Sequence, residues 1–522
     1  MPKEKQKINI IGSILKEAIE IRNKKIPIIN FFHVQDPKKS QNRELKKLLV
    51  KASETHFGEA YKFKCILQQQ DFRKAFKESV PVFDYDKMFV QWWDRCLHGE
   101  TFISWPGKIK YFALSSGTSG ATSKYIPVTN EMVKAIRKTS TRQLFSLAKY
   151  DFPNELYEKG ALMLGGSTHL QYNGTYYAGD LSGITTGNLP FWFEYFYKPG
   201  RRISKERDWP TKLEEIIKKA PEWDIAAIVG VPAWLQILLQ KIIERYNLNN
   251  IHDIWPNLEI YVHGGVSFEP YRKSFEKLLA HPLAYMETYL ASEGFLAFQN
   301  RPNTSAMELV LDNGIFFEFI PFNEQNFDES GNMVDKPKTL FIDEVEQGKE
   351  YALLISTCSG AWRYLIGDTI KFTSIERHEI IITGRTKSYL SICGEHLSVD
   401  NMNHAVRMLG EEKGVGILEY TVLGVECDGM FAHRWFLGCD EPLDEKDASS
   451  CIDEYLKTLN DDYRVERLEA IRKISVEVLP TEVFYAYMRK MGKEGAQNKF
   501  LRVLKGSKAE EWLSFVKEYK KQ

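Results

Sequence analysis

Short apolar runs alternate with amphipathic stretches over most of this chain. Ala161–Leu164, Ile225–Val229 and Leu258–Val262 are apolar and bounded by Gly or Pro. Such runs suit strands buried on both faces, and the helical-period stretches between them suit the crossovers of a parallel sheet. From Asn130 to Tyr150 apolar residues recur at Met132, Val133, Ile136, Leu144 and Leu147, which predicts a helix that Thr129 is placed to cap. Ile10–Asn23 predicts an amphipathic helix, and Tyr61–Ser79 predicts further helical turns. The most apolar uncharged stretch, Ile225–Gln240, is interrupted by Gly230-Val231-Pro232 and is too short to span a bilayer comfortably. It predicts a strand, a turn and a buried helix.

The texture changes twice more. From Met307 to Phe372 it is β-rich, and Asn313-Gly314 between Met307–Leu311 and Ile315–Pro321 predicts a hairpin. Tyr351–Ser356 and Thr369–Thr373 extend this segment. After Gly384-Arg385-Thr386-Lys387 come strands at Thr421–Val425 and Arg434–Leu437, a polar helix at Glu445–Leu459, a strand at Ser475–Leu479 and a final helix at Ala509–Lys520. That is enough for a small α+β domain, and a boundary near residue 386 divides the chain into domains 1–386 and 387–522.

Composition narrows the function classes. A length of 522 residues allows roughly two to four domains. Lys+Arg and Asp+Glu both number 70, so the net charge is zero and a nucleic-acid partner is not expected. The seven cysteines are scattered and form no Cys-x-x-Cys pair, so neither a zinc knuckle nor a disulfide framework is expected. The start is charged and lacks a signal-peptide apolar core. We expect a cytoplasmic protein without membrane association.

Four local features carry candidate chemistry. Tyr111–Leu114 predicts a strand that runs into Ser115-Ser116-Gly117-Thr118-Ser119-Gly120-Ala121-Thr122-Ser123-Lys124. Its glycines let backbone N–H groups approach a phosphate, its hydroxyls donate to phosphate oxygens, and Lys124 adds a point charge. The spacing is not that of a Walker A loop. Tyr289-Leu290-Ala291-Ser292-Glu293-Gly294 offers an aromatic ring, a hydroxyl and a lone carboxylate of the kind that holds Mg²⁺ against phosphate oxygens. Trp362-Arg363-Tyr364-Leu365-Ile366-Gly367-Asp368, with Gly384-Arg385 after it, places a carboxylate and an arginine where both suit a ribose. Gly492-Lys493-Glu494-Gly495-Ala496-Gln497-Asn498-Lys499-Phe500-Leu501-Arg502 is a flexible basic segment. Taken singly, the first is also a solvated turn between a strand and a helix, the second an exposed Glu starting a helix, the third a Gly-Asp turn and the fourth a solvated surface loop. His263-Gly264-Gly265 ends a predicted strand and is either a plain tight turn or one wall of an adenine pocket.

In this order the four features resemble the serial pattern of adenylate-forming enzymes. Within that superfamily the chain most resembles the Gretchen Hagen, or auxin-responsive promoter, family of acyl-acid amido synthetases. Ser115 to Pro127 carries most of the resemblance, and its lysine sits one residue farther out than in ordinary acyl-CoA ligases. Tyr364-Leu365-Ile366-Gly367-Asp368 is similar to the family's Tyr-Arg-x-Gly-Asp, and Gln497–Arg502 to its Gln-His-Lys-x-x-Arg. The resemblance implies an α/β, firefly-luciferase-like architecture. Its large N-terminal domain has α/β and β-barrel-like portions, and a small C-terminal α+β lid turns about a hinge near residues 384–387. It implies a ligase that uses ATP and Mg²⁺ to convert a carboxylic acid to an acyl-adenylate. The acyl group then passes to an amine, usually an amino acid.

By the same resemblance Ser115, Ser116, Gly117, Thr118 and Ser119 would contact phosphates, with Lys124 steadying the loop or the pyrophosphate. Tyr289 would lie against adenine near Gly265, Ser292 would touch the α-phosphate, and Glu293 would bind the metal. Asp368 and Arg385 would hold the ribose, and Lys499 would bridge the acyl carboxylate and the α-phosphate. The chain departs from the pattern at Ala121 and Ser123, at Leu365 (where Arg363 is the nearest cation) and at His396, which stands where plant members carry lysine. His396 is a candidate nucleotide contact. Gly394-Glu395 is similar to acyl-CoA ligases, which keeps a thiol acceptor open as an alternative. A nucleotide-binding protein without catalysis is a second alternative.

Overall fold

The computed structural model describes residues 36–521 except 116–123, 151, 188, 190–192, 266, 329–330, 387–389, 391–396, 428–429, 461–462, 465–466, 468–470 and 493–498. The helix expected over Ile10–Asn23 lies outside the described residues. In chain order the strands are β1 (Tyr111–Ser115), β2 (Lys124–Val128), β3 (Gly160–Leu164), β4 (Gln171–Tyr172), β5 (Tyr177–Gly179), β6 (Tyr197–Lys198), β7 (Ile225–Gly230), β8 (Ile260–Gly264), β9 (Ala284–Ala291), β10 (Gly294–Phe298), β11 (Met307–Leu309), β12 (Ile315–Pro321), β13 (Glu350–Thr357), β14 (Tyr364–Ser374), β15 (Glu379–Arg385), β16 (Ile417–Cys427), β17 (Met430–Cys439), β18 (Ile471–Leu479) and β19 (Val503–Leu504). The principal helices are α1 (Pro37–Ala52), α2 (Asn130–Ser146), α3 (Trp209–Lys219), α4 (Pro232–Tyr246), α5 (Glu269–Glu276), α6 (Val399–Lys413), α7 (Glu445–Leu459), α8 (Thr481–Lys490) and α9 (Ser507–Tyr519).

Among the described residues one sheet has eleven strands in the order β12-β13-β14-β15-β11-β10-β9-β8-β7-β3-β6. Strands β6, β3, β7, β8 and β9 run parallel, and from β9 through β12 the neighbours are antiparallel. The α/β and β-rich textures of the sequence therefore meet in one sheet, joined where β9 turns into β10. A smaller sheet has the order β2-β1-β5-β4, and a third, β18-β17-β16-β19, belongs to the C-terminal part.

The helices form for legible reasons. Helix α4 opens with Pro232 and ends at Asn247 in the left-handed region at φ 51°. Its Leu235, Leu238, Leu239 and Ile242 are fully buried at helical spacing. Helix α2 is capped as expected: Thr129 accepts the Met132 N–H at 3.1 Å. The C-terminal part docks through apolar contacts. Phe436, Phe484 and Trp512 share one core with Trp234, Leu235 and Tyr271 of the N-terminal part.

The expected hairpin at Asn313-Gly314 is overturned. The turn forms, with Gly314 at φ 78°, but its flanking strands part: β11 lies between β10 and β15, and β12 pairs with β13. Asn313 Nδ2 donates to the Ala135 carbonyl at 2.6 Å and to Thr139 Oγ1 at 2.7 Å, while the Gly314 N–H donates to Glu44 at 3.1 Å. Bonds to α2 and α1 replace the ladder that the local signal predicts.

Arg363, the nearest cation to the departed motif position, turns into the core. At φ 41° it aims its guanidinium at Glu318, donating from Nε at 2.9 Å and from Nη2 at 2.8 Å. Nη1 donates to the carbonyls of Lys77 and Val80 at 2.7 and 2.6 Å. Glu318 lies between phenylalanines on β12 and is 1% exposed. Breaking such a pair strands a buried charge. We expect Arg363→Met to lower the unfolding free energy by about 3–5 kcal/mol, read from the urea midpoint, and Arg363→Met with Glu318→Leu to recover part of that loss. A single variant that unfolds at the wild-type midpoint would show that the pair contributes nothing.

Candidate functional site

The site begins at the carboxyl ends of the parallel strands, where an α/β sheet leaves a crevice. Strand β8 ends at Gly264, and Gly265 follows at φ 86°. A Cβ on Gly265 would lie 3.3 Å from Lys499 Cε, 3.4 Å from Lys499 Nζ and 3.7 Å from Val231. Glycine here serves both the left-handed backbone and the close approach of a lysine from the C-terminal part. Lys499 as a residue keeps open surface, yet its amine is crowded by protein in a narrow cleft. Burial, and after it the positive Arg385, hold that amine below the ordinary lysine range.

Asp368 lies inside β14, opposite Arg385 of β15. The Gly367-Asp368 pair is thus in a strand and not in a turn, and the ladder shifts register beside it, between Thr369 and Ile370. Arg385 Nε donates to Asp368 Oδ1 at 2.7 Å, and the Tyr289 hydroxyl donates to Asp368 Oδ2 at 2.5 Å. Each carboxylate oxygen keeps a further lone pair for another donor. The Asp368 charge raises the Arg385 guanidinium above its ordinary range.

Ser292 and Glu293 form the two-residue turn between β9 and β10. Ser292 is half-buried and Glu293 is 8% exposed. Burial pushes the Glu293 carboxyl up to about 7, and the like charge of Asp368 adds to this against the pull of Lys124 and Arg385. The Tyr364 hydroxyl is a hydrogen-bond partner of Glu293. Lys124 opens β2 opposite Ser115, and its amine sits 5.0 Å over the Tyr85 ring. The hydroxyl-rich segment is therefore flanked by two paired strands, β1 and β2, where the sequence predicts a strand before it and a helix after it.

The structure brings Lys124, Gly265, Tyr289, Ser292, Glu293, Asp368, Arg385 and Lys499 to one region. Ser115 is described only by its backbone, and Ser116, Gly117, Thr118, Ser119 and His396 lie outside the described residues. Tyr364 and Glu287 escaped the sequence reading. Tyr364 stood within a quoted motif, but nothing in its spacing reveals its partner. Glu287 precedes the Tyr289 motif and pairs in register with His263. Burial lifts its carboxyl to about 7. The His263 ring turns toward Tyr261 and Phe268, and its buried Nδ1 has no hydrogen-bond partner among the described residues. Burial pushes its pKa down to about 3. The Gly165-Gly166 turn is a packing feature: Lys212 Nζ donates to both carbonyls, at 2.9 and 3.2 Å.

Comparison with known proteins follows the same path. The GH3 family N-terminal domain matches residues 32–171 and 138–283, the GH3 family central domain 308–382, and the GH3 family C-terminal domain 400–508. Indole-3-acetic acid-amido synthetase GH3.2 of Arabidopsis thaliana is 27% identical over 236 residues, 42% of each chain. Jasmonoyl–L-amino acid synthetase JAR6 of Nicotiana attenuata is 23% identical over 521 residues, 84% of this chain and 86% of that one. The chain spans 42% of the length of three Arabidopsis relatives, GH3.2, GH3.3 and GH3.4. The structure of AtGH3.15 acyl acid amido synthetase in complex with 2,4-DB superposes at a TM-score of 0.75 with 17% identity, covering 94% of this chain and 95% of that one. A 2-hydroxyisobutyryl-CoA ligase in its postadenylation state superposes at 0.58 with 14% identity, covering 93% and 92%. The fold is thus that of the adenylate-forming enzymes, as expected. With matches to its N-terminal, central and C-terminal domains in sequence order, the chain belongs to the GH3 family.

Proposed function

We propose that this protein is an ATP- and Mg²⁺-dependent acyl-acid amido synthetase. The observation that carries the reading is the delivery of Lys499 to Gly265, beside the Asp368–Arg385 pair and Glu293. A carboxylic acid attacks the α-phosphate of ATP, the bond to pyrophosphate breaks, and an acyl-adenylate results. The nitrogen of an amine then attacks the acyl carbon, AMP departs, and the amine gives up a proton. GH3.2 is named an amido synthetase and JAR6 a jasmonoyl–L-amino acid synthetase, which supports an amine, and an amino acid in particular, as acceptor.

The roles are those that the family resemblance implies, and each suits the chemistry of its group. Asp368 and Arg385 hold the ribose, Tyr289 flanks the base, and the loop Ser115–Ser119 with Lys124 holds the phosphates. His396 is a further nucleotide contact. Lys499 neutralises charge gathering between the acyl carboxylate and the α-phosphate, with Ser292 beside it. The residues suit the metal: Glu293 is a hard oxygen donor, and burial together with the like charge of Asp368 holds its carboxyl up at about 7, a bias that a nearby cation would offset. When bound, Mg²⁺ supplies positive charge to the phosphate oxygens. We place the N-terminal domain at 1–386 and the lid at 387–522. No helix among the described residues is long and apolar enough to cross a membrane, and we place the reaction in the cytoplasm.

ATP–pyrophosphate exchange with pooled aryl, indolyl and aliphatic acids tests the reading. We expect acid-dependent exchange in the wild type and a loss of at least about a hundredfold in Lys499→Ala and Asp368→Ala. Product formation that requires coenzyme A and ignores amino acids would turn the assignment to an acyl-CoA ligase. ATP binding without AMP formation from any acid would turn it to nucleotide binding without catalysis.

Glu293 also sets a pH dependence. Its pKa rises from 4.5 to about 7 on folding, so the native state keeps a proton that the unfolded chain has released. The stability this contributes is fully present below pH 4.5 and is lost as pH climbs toward 7. We expect Glu293→Gln to flatten that decline by on the order of 2 kcal/mol in urea titrations without metal. Identical slopes in both proteins would show that Glu293 titrates normally.

A further inference from the structure

We propose that Tyr271, Glu419 and Arg502 form a latch that seats the C-terminal part and thereby positions Lys499. Tyr271 belongs to α5, Glu419 to β16, and Arg502 to the segment that runs from Lys499 into β19. The Tyr271 hydroxyl donates to Glu419 Oε1 at 2.7 Å. Arg502 Nη1 donates to Glu419 Oε2 at 2.6 Å and to the Tyr420 carbonyl at 3.2 Å, and Nη2 donates to the Tyr271 oxygen at 3.3 Å. The guanidinium also lies 4.5 Å over the Tyr420 ring. The side chains of Glu419 and Arg502 are 3% and 11% exposed, and Tyr271 is 2% exposed.

The Glu419–Arg502 pair lies wholly within the C-terminal part, so Tyr271 is the member that ties it to the N-terminal part. A buried ion pair is sustained by the hydrogen bonds that fill its remaining positions. Here two of those bonds come from across the junction, both through the Tyr271 hydroxyl, and they exist only while the junction is closed. The link to the lysine is short and stiff. Phe500 and Leu501 alone separate Lys499 from Arg502, and Phe500 is wedged among Phe484, Tyr487 and Trp512 at ring distances of 4.9, 5.8 and 5.0 Å. A cavity of about 10 Å³, lined by Val231, Tyr271, Glu419 and Lys499 among others, connects latch and lysine. It is near the size of a single water. Seating the latch thus sets the position of Lys499 at Gly265.

The kinetic half of this inference rests on the adenylation reading above; the docking half does not. Tyr271→Phe keeps the ring and removes only the hydroxyl. Amide hydrogen exchange of residues 500–504 in the full chain reads docking without substrate. We expect exchange there to quicken at least about tenfold in Tyr271→Phe and in Glu419→Gln, with an unchanged thermal midpoint for Tyr271→Phe. Wild-type exchange rates in both variants would overturn the latch. Pyrophosphate exchange should fall about tenfold in Tyr271→Phe, while amide formation from supplied acyl-adenylate holds. In a Lys499→Ala background Tyr271→Phe should cost nothing further. Equal loss in both half-reactions, or an additive loss in that background, would overturn the positioning role. A wild type inert with every acid, yet showing the hydrogen-exchange effect, would sink the adenylation reading and leave the docking latch standing.

Discussion

The carboxylate of Asp368 is the tie on which the arrangement of the site depends. It sits on β14, it receives Arg385 from the neighbouring β15, and it receives Tyr289 from β9, the last of the parallel strands. Three strands from the two textures of the main sheet are thereby fixed at one point. The same charge raises Arg385 and helps push Glu293 upward. A site built this way carries its own electrostatic tension: two carboxylates face one region, and the cations that offset them come from other elements. Lys124 comes from the base of the hydroxyl-rich loop, and Lys499 from the C-terminal part. On the proposed reading, a divalent cation with its phosphates would offset the two carboxylates.

Much of the fold was legible because the governing signals were local. Buried parallel strands such as Ile225–Gly230 read as uninterrupted apolar runs, and the Thr129 cap read from a single residue. The reading broke where local and distant partners compete. Asn313-Gly314 makes its turn, yet bonds to Ala135, Thr139 and Glu44 outweigh the ladder between its flanks. Gly367-Asp368 has the composition of a turn, but pairing with β15 draws it into a strand. Arg363 stood two residues from the motif position and was read by proximity, whereas the buried Glu318 decides where its guanidinium goes. In the site, residues whose chemistry is polar and unusual for their pattern announced themselves. Tyr364 and Glu287 did not, because a tyrosine or glutamate in a strand declares its partner only once the strands are assembled.

The two cations at the end of the chain show how such a site divides its labour. Lys499 and Arg502 are three residues apart on the segment that leads into β19, and their heads face different surroundings. The lysine amine lies in the narrow cleft at Gly265, and the arginine is enclosed by Glu419, Tyr271 and Tyr420. The residue types fit these places. A guanidinium is planar and multidentate, so it can satisfy a carboxylate, a carbonyl and a phenol at once without leaving a buried donor idle. An ammonium is a compact point charge suited to a transient partner. Exchanging them would put a fork where a point charge is wanted and leave the buried carboxylate under-satisfied. On the proposed latch, the position of Lys499 rests on structure at Arg502, and through Arg502 on a tyrosine from the other part of the chain that belongs to none of the sequence motifs.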